Sequence, residues 1–438
     1  MQVSVEKKEG VYCLLNIELP AVEIDHEVLK RIQRIAKTAK VDGFRPGKVP
    51  VRMIKHKYGE QVRAEVLGDV LPRKYSKAIQ EQNLHAAGVE IEIINDKEGE
   101  ELRFNVNVEL FPEVVIKDLD KIVVEKPVVE LGDKQIEKMI SNLRKQFATW
   151  KEVERAVKDD DCVTIDFSGM VDGEVFKGGT ANSSEVVIGS GKMIPGFEDG
   201  IIGMKKYEEK IIDVTFPEDY QNHELKGKRA EFNIIVKNIK EADLPEIDNK
   251  FIEQLGMKGG FNEFHTEIKQ HMVRALKNSI SGVVKTQVFD QLVDIIDFHV
   301  PTAFVQREIS RSKDDVIKHA HGAKSNMKAE DLPDDLFKQK SKKSVKLGLI
   351  LQAIIRDQNF EADQESIDTV IEEMALVYED AQEVRDHIIN NKQELDNIKN
   401  AVVESKIVEW VVKQGRITEK PEDCFNLIKK VLPQGGIF

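Results

Sequence analysis

The sequence predicts a multidomain α+β protein, with an N-terminal α+β domain, a β-rich middle domain and a long all-α C-terminal domain. Length is the first ground, since 438 residues fit about three domains of ordinary size. The second is alternation: apolar and polar residues alternate between turn signals within 11–19, 89–110 and 163–239, as in half-buried strands. The third is that apolar residues from 262 onward recur at helical spacing. A composition of 41% hydrophobic and 33% charged residues excludes a disordered chain.

The first ten residues lack an apolar core and do not read as a signal peptide. The strongest apolar run, Leu347 to Ile355, is too short to span a bilayer and is closed by Arg356 and Asp357. Cys13, Cys162 and Cys424 are far apart and form no CxxC pair, which fits a reducing compartment. A cytoplasmic protein with no membrane partner is expected.

In chain order, Val11 to Leu19 reads as a strand ended by Pro20. Asp25 is expected to cap a helix reaching about Lys40, with Val28, Leu29, Ile32, Ile35 and Ala36 on its apolar side. Val51 to Lys57 and Gln61 to Glu81 read as two helices, the second broken or kinked at Pro72. Val89 to Ile94 and Leu102 to Leu110 are strands joined by a charged hairpin, and they close a domain over 1–112. Residues 113–149 hold one extended piece, Ile122 to Val129, and one helix, Asp133 to Phe147. They are too few for a core of their own and are expected to pack elsewhere in the chain. A β-rich domain over 150–243 follows. Its signals are the alternating Val163 to Ser168, the Asp172-Gly173 turn, a short helix Pro195 to Gly203, and strands at Glu208 to Val214 and Ala230 to Ile239. The region 244–438 reads as amphipathic helices, the first capped by Asn262, with a loosely attached tail from Pro421.

Gly43-Phe44-Arg45-Pro46-Gly47-Lys48-Val49-Pro50 cannot be helix or strand. Two prolines stiffen it and two glycines allow tight turns, so it reads as a shaped loop displaying Phe44, Arg45 and Lys48. Residues 30–63 around it carry eleven Lys and Arg against Asp42 and Glu60, a net of +9 inside a chain of −13, so the other residues carry −22. This asymmetry suits a negatively charged partner. The blander alternative is a solvated helix–loop–helix. A free nucleic-acid binder would need stacking aromatics among the charges, and only Phe44 and Tyr58 are available.

The middle domain carries a second pattern, V-T-I-D-F-S-G, then G-E-V-F, then V-I-G-S-G-K-M-I-P-G-F-E-D-G, then F-P-E-D-Y, then A-E-F-N-I-I-V. Gly189-Ser190-Gly191 is no phosphate loop, because it lacks a Gly-Lys-Ser/Thr ending and a long helix after it. Phe167, Phe176, Met193, Ile194, Phe197, Tyr220 and Phe232 stand beside Gly turns, as core or as the lining of a pocket. No HExxH and no Ser/His/Asp set is present, and His319 and His321, two apart on a helix, face different directions. Neither cofactor nor metal is expected.

This motif order resembles the FK506-binding type of peptidyl-prolyl isomerase over about Val163 to Lys240. The resemblance implies a proline pocket lined by Phe167, Phe176, Met193, Ile194, Phe197 and Phe232, with Tyr220 at its lip. It also implies that the backbone N–H at Ile194 meets the substrate carbonyl. This chain has Lys177 where that family usually has Asp, Phe197 where it often has Trp, and a short flap of eleven residues between Tyr220 and Phe232. The chain as a whole resembles the bacterial trigger factor family of ribosome-associated chaperones, through G-F-R-P-G-K-V-P, an isomerase insert and a helical C-terminal region. By that resemblance Gly43, Phe44, Arg45, Pro46, Gly47 and Lys48 dock beside the ribosomal exit tunnel, on ribosomal protein and rRNA. Residues 113–149 return to the C-terminal helices, which form a body and two arms that hold nascent and unfolded polypeptides. The family also implies a homodimer off the ribosome. The alternative function is a holdase whose isomerase-like domain binds clients without catalysis. Met257, Met272, Met327 and Met374 are adaptable candidates for client contact.

Overall fold

The computed structural model describes residues 1–7, 11–39, 44, 49–220, 222, 224–257, 259–321, 328–375 and 380–431. Gly43, Arg45, Pro46, Gly47, Lys48 and Met327 lie outside them, as do the side chains of Lys177, His319 and His321. Two compact units result, one of residues 1–126 with 282–420, the other of 127–281 with 421–438.

Strand alternation builds the first sheet. β2 (Tyr12–Leu19) buries Cys13, Leu15, Ile17 and Leu19, and β4 (Leu102–Leu110) buries Leu102, Phe104, Val106 and Val108. With β1 (Gln2–Lys7) and β3 (Ala86–Asn95) they form an antiparallel sheet in the order β1-β2-β4-β3. α1 (Ala21–Ala36) lays Ile24, Val28 and Ile32 on its apolar face, and α2 (Val51–Glu81) adds Ile54, Val62, Val66, Leu67, Leu71 and Ala78. The helix start differs from expectation. Pro20 stands at the N-cap with φ −58° and ψ 137°, and Asp25 lies inside the helix. Its carboxylate instead accepts from Arg63 Nη1 at 2.9 Å and from the Gly99 N–H at 3.2 Å. Leu29 faces solvent. The two helices expected over 51–81 are one helix of 31 residues that continues through Gly59 and Pro72. Burial of its apolar face on both sides of Pro72 outweighs the local cost of the proline, about 3 kcal/mol.

β5 (Val123–Val128) takes part of the 113–149 segment to the helical region. Its backbone is satisfied by glutamine side chains of α6 (Phe261–Ile295). Gln291 accepts from the Val123 N–H at 2.9 Å and donates to the Val123 carbonyl at 2.8 Å; Gln287 does the same for Glu125, accepting at 2.8 Å and donating at 2.9 Å. An edge strand is thereby paired without a second strand on that side.

The second unit contains α3 (Asp133–Gln146), whose buried Ile136, Met139, Ile140 and Leu143 form one stripe. Its sheet comprises β6 (Thr149–Glu152), β7 (Cys162–Val171), β8 (Glu174–Val187), β9 (Glu209–Thr215) and β10 (Arg229–Asp243), in the order β6-β10-β7-β8 with β9 also on β10. The helix α4 (Phe197–Ile201) packs on β9, where a Cβ at Gly200 would meet Ile212 at 2.7 Å. α5 (Asn249–Gln254) places Phe251 between Phe147 and Phe264, at 5.8 and 6.4 Å between ring centroids.

The remaining helices are α7 (Thr302–His321), α8 (Asp335–Gln358), α9 (Gln364–Ala375), α10 (Ala381–Asn390) and α11 (Lys392–Gln414). In the first unit Val288, Leu292 and Ile296 of α6, Ile350 and Ile354 of α8, and Ile407 and Val411 of α11 share a core with Ile122 and Val124. β11 (Arg416–Pro421) pairs with β5. The tail is less loose than expected up to residue 431: α12 (Cys424–Val431) buries Cys424, Leu427 and Ile428. Asn262 lies within α6 rather than before it. Among the described residues no helix is long and apolar enough to cross a membrane.

A buried carboxylate ties β4 to α7. Glu109 Oε1 accepts from the Thr302 N–H at 2.8 Å and from Tyr12 Oη at 3.4 Å, and lies 3.0 Å from His299 Nε2; Oε2 accepts from the Ala303 N–H at 3.3 Å. The contact is close enough that a Cβ on Gly88 would sit 2.7 Å from the Ala303 Cβ. Burial pushes the Glu109 carboxyl up, but the Thr302, His299 and Ala303 donors outweigh it and hold it below its ordinary value. A lowered carboxylate pKa adds stability above the unfolded value, near 4.3, which is lost as pH falls through the folded value. Glu109→Ala is expected to destabilise the first unit by about 1–3 kcal/mol at neutral pH and to flatten its melting temperature's acid dependence. Calorimetry at neutral pH and below pH 4 checks both; an unchanged melting temperature at neutral pH refutes the link.

Candidate functional site

The proline-pocket residues predicted from sequence all join one hydrophobic cluster of the second unit. Phe167 of β7 and Phe232 of β10 sit on adjacent paired strands, with Phe232 opposite Gly169 and Ile234 opposite Phe167. Phe232 is the hub. Its ring centroid lies 5.2 Å from Phe197 at 90°, 6.0 Å from Phe176 at 80° and 6.0 Å from Phe167 at 55°. Phe167 and Phe197 meet edge to face at 5.7 Å. Phe197 and Phe232 are buried, whereas Phe167, Phe176, Met193, Ile194 and Tyr220 are half-buried around them. The first two thus form a buried aromatic floor, and the other five are left partly exposed around it.

Three residues of this arrangement were missed in the sequence. Phe216, the first residue of F-P-E-D-Y, is buried and bridges Phe176 at 5.8 Å and Tyr220 at 4.8 Å. It thereby anchors Tyr220, whose N–H donates to the Pro217 carbonyl at 3.2 Å. Gly169 leaves room for the rings: a Cβ there would lie 2.5 Å from Phe232 Cε1 and 2.9 Å from Phe176 Cε1. Gly169→Ala is therefore expected to displace both rings, to cost about 1–3 kcal/mol, and to lower prolyl isomerisation by more than tenfold in the folded protein. Activity within twofold of the parent contradicts that packing.

The third is Glu198. It follows Phe197 in α4, is buried, and turns back to the loop that carries Met193 and Ile194. Oε1 accepts from Ser190 Oγ at 3.1 Å and from the Met193 N–H at 3.2 Å, and Oε2 accepts from the Gly191 N–H at 3.1 Å. G-F-E-D-G was on view as a motif, but a carboxylate between two glycine turns gives no sequence sign of being buried.

At the docking segment the structure describes Phe44, which is 39% exposed, and then Val49, which is buried, before Pro50 caps α2. The surrounding charge is partly compensated by acids outside 30–63. Lys30 pairs with Glu27 at 3.5 Å, Arg31 with Asp69 at 2.9 Å, Arg63 with Asp25 at 2.9 Å, and Lys55 with Glu98. Arg34, Lys37, Arg52 and Lys57 have no carboxylate partner among the described residues. Of the methionines, Met257 and Met272 are buried in the core, which removes them as client contacts, and Met374 is 46% exposed.

A five-stranded sheet over one short helix, with an aromatic floor and a half-buried apolar rim, defines a proline-binding isomerase fold inside a larger, mostly helical chain. Comparison with known proteins agrees. Residues 153–237 match the model for FKBP-type peptidyl-prolyl cis-trans isomerase. Residues 1–143 match that for bacterial trigger factor protein, and 261–413 match its C-terminal model. Trigger factor of Francisella tularensis subsp. novicida is 51% identical over 430 residues, covering 98% of both chains. That of Hahella chejuensis is 41% identical over 431 residues, covering 98% of this chain and 96% of the relative. A solved structure of the trigger factor chaperone aligns over 94% of this chain and 99% of its own, with TM-score 0.46 and 17% identity. The chain belongs to the bacterial trigger factor family: it is a chaperone that carries a peptidyl-prolyl cis–trans isomerase.

Proposed function

We propose that this chaperone docks on the ribosome beside the exit tunnel through Gly43, Phe44, Arg45, Pro46, Gly47 and Lys48, and works in the cytoplasm on nascent and unfolded chains. Phe44 supplies an apolar anchor, and Arg45 and Lys48 supply charge for rRNA and ribosomal protein. Arg34, Lys37, Arg52 and Lys57, with no carboxylate partner among the described residues, extend that positive field. Clients are held weakly on dispersed apolar surface such as Met374, Val316 and Leu336, and are kept open for folding or export. The working division is 1–112 for docking, 113–149 as linker and arm, 150–243 for isomerisation and 244–438 for holding. Off the ribosome the chain forms a homodimer, which sedimentation of the purified protein reads directly.

Isomerisation is assigned to Phe167, Phe176, Met193, Ile194, Phe197, Tyr220 and Phe232. Amide resonance sets a barrier of about 18–20 kcal/mol and places charge on the carbonyl oxygen, which water stabilises. An apolar face that removes water favours the twisted, less polar state, and about 4 kcal/mol of lowering is a thousandfold. The Ile194 N–H takes the place of water at the substrate carbonyl. The observation that carries this is the half-buried rim set on the Phe197–Phe232 floor. The test adds full-length protein to an unfolded client whose refolding is limited by a prolyl bond. Less light scattering together with a faster slow phase supports the reading. Less scattering with an unchanged slow phase leaves a holdase alone.

A further inference from the structure

The loop between β8 and α4 belongs to no helix or strand, yet it carries two residues of the pocket rim, Met193 and Ile194. Gly189 and Gly191 adopt φ of +81° and +66°, so the loop's course depends on backbone that most residues avoid. A loop of this kind needs outside contacts to hold one conformation. The Glu198 carboxylate supplies three of them, from Ser190, Gly191 and Met193. On the other side of Ile194, its carbonyl accepts from the Phe197 N–H at 3.1 Å. Ile194 is thus bracketed by two fixed neighbours. Its own N–H has no protein acceptor among the described residues.

We infer that Glu198 is a positioning residue of the isomerase: by holding Ser190, Gly191 and Met193 it fixes the Ile194 N–H in place for the substrate carbonyl. The inference rests on the proposed role of that N–H. Burial pushes the Glu198 carboxyl up, but the Gly191 and Met193 N–H groups and the Ser190 hydroxyl outweigh it and keep the group below its ordinary value. An ionised carboxylate makes these bonds charge-assisted, hence stronger than bonds between neutral groups. A preorganised donor gains over water because it need not reorient during the rotation. Loosening the loop should therefore lower turnover even where the fold survives.

The experiment uses the full chain and an Ala-Phe-Pro type peptide, well below the melting onset of each variant. Glu198→Ala is expected to lower kcat/KM by about tenfold or more, equivalent to one decade in rate. Hydrogen exchange should rise in peptides covering 189–194 and stay at parent levels in β7 and β10. Glu198→Gln keeps one carbonyl acceptor and should recover part of the loss, an ordering that a stability effect alone does not produce in fully folded samples. Should Glu198→Ala fail to fold, Ser190→Ala carries the test, with a loss of about two- to fivefold expected. Activity within twofold of the parent in folded Glu198→Ala, or in Ser190→Ala where that variant stands in, overturns the inference. Phe197→Ala in parallel separates the two readings. If it abolishes activity while Glu198→Ala does not, only the positioning role fails. An inactive parent overturns the assignment of the pocket and this inference with it.

Discussion

Phe232→Ala is expected to remove peptide isomerisation and to destabilise the isomerase domain by about 3–5 kcal/mol, the range for deleting a buried aromatic ring. Its ring touches those of Phe167, Phe176 and Phe197, and 4% of the residue is exposed, so the deletion leaves a cavity that three rings cannot fill together. Tyr220→Ala provides the contrast. Tyr220 is half-buried, anchored mainly on Phe216, and stands at the edge of the cluster. Its removal is expected to lower kcat/KM several-fold while the stability changes by about 1 kcal/mol or less. Calorimetry and a protease-coupled peptide assay read the two variants side by side. The chain is multidomain, so the transition of the isomerase domain is the quantity to compare, not a single overall melting temperature. Equal stability losses in the two variants would contradict a buried hub beneath a half-exposed rim.

How much of this was legible in the sequence depends on the range of the interactions. β2 and β4 could be read because alternation is local, and the Asp172-Gly173 turn because both residues adopt positive φ, 54° and 83°, in a two-residue hairpin. The pocket rings could be read because their motifs occur in a specific order. Pro20 rather than Asp25 starts α1, since Asp25 is recruited by Arg63 and Gly99, far along the chain. α2 continues through Pro72 because the core it shares with α1 and the sheet buries its apolar face on both sides of the proline. The β5–β11 pairing and the Glu109 link to Thr302 join segments hundreds of residues apart, and no local pattern marks either. Glu198 and Gly169 carry no local sequence signal for a related reason. Each acts by what it touches, a loop in one case and two rings in the other.

Phe44→Ala, Arg45→Ala and Lys48→Ala combined are expected to abolish docking on the ribosome. The change removes the one exposed aromatic of the loop and two cations. On the proposed docking, Arg45 and Lys48 would meet phosphate, a contribution to binding that shrinks as salt rises, so the parent's affinity should fall with salt while the triple variant has little left to lose. Loss of Phe44, which is 39% exposed, would remove the apolar anchor of the proposed docking surface. Isomerisation should be untouched, because the pocket residues lie in a different unit of the structure from Phe44. The most direct measurement is therefore co-sedimentation of the parent and the triple variant with purified ribosomes, with peptide isomerisation measured on the same preparations. The variant is expected to stay in the supernatant and to isomerise at the parent rate. A variant that pellets with ribosomes as the parent does would contradict it.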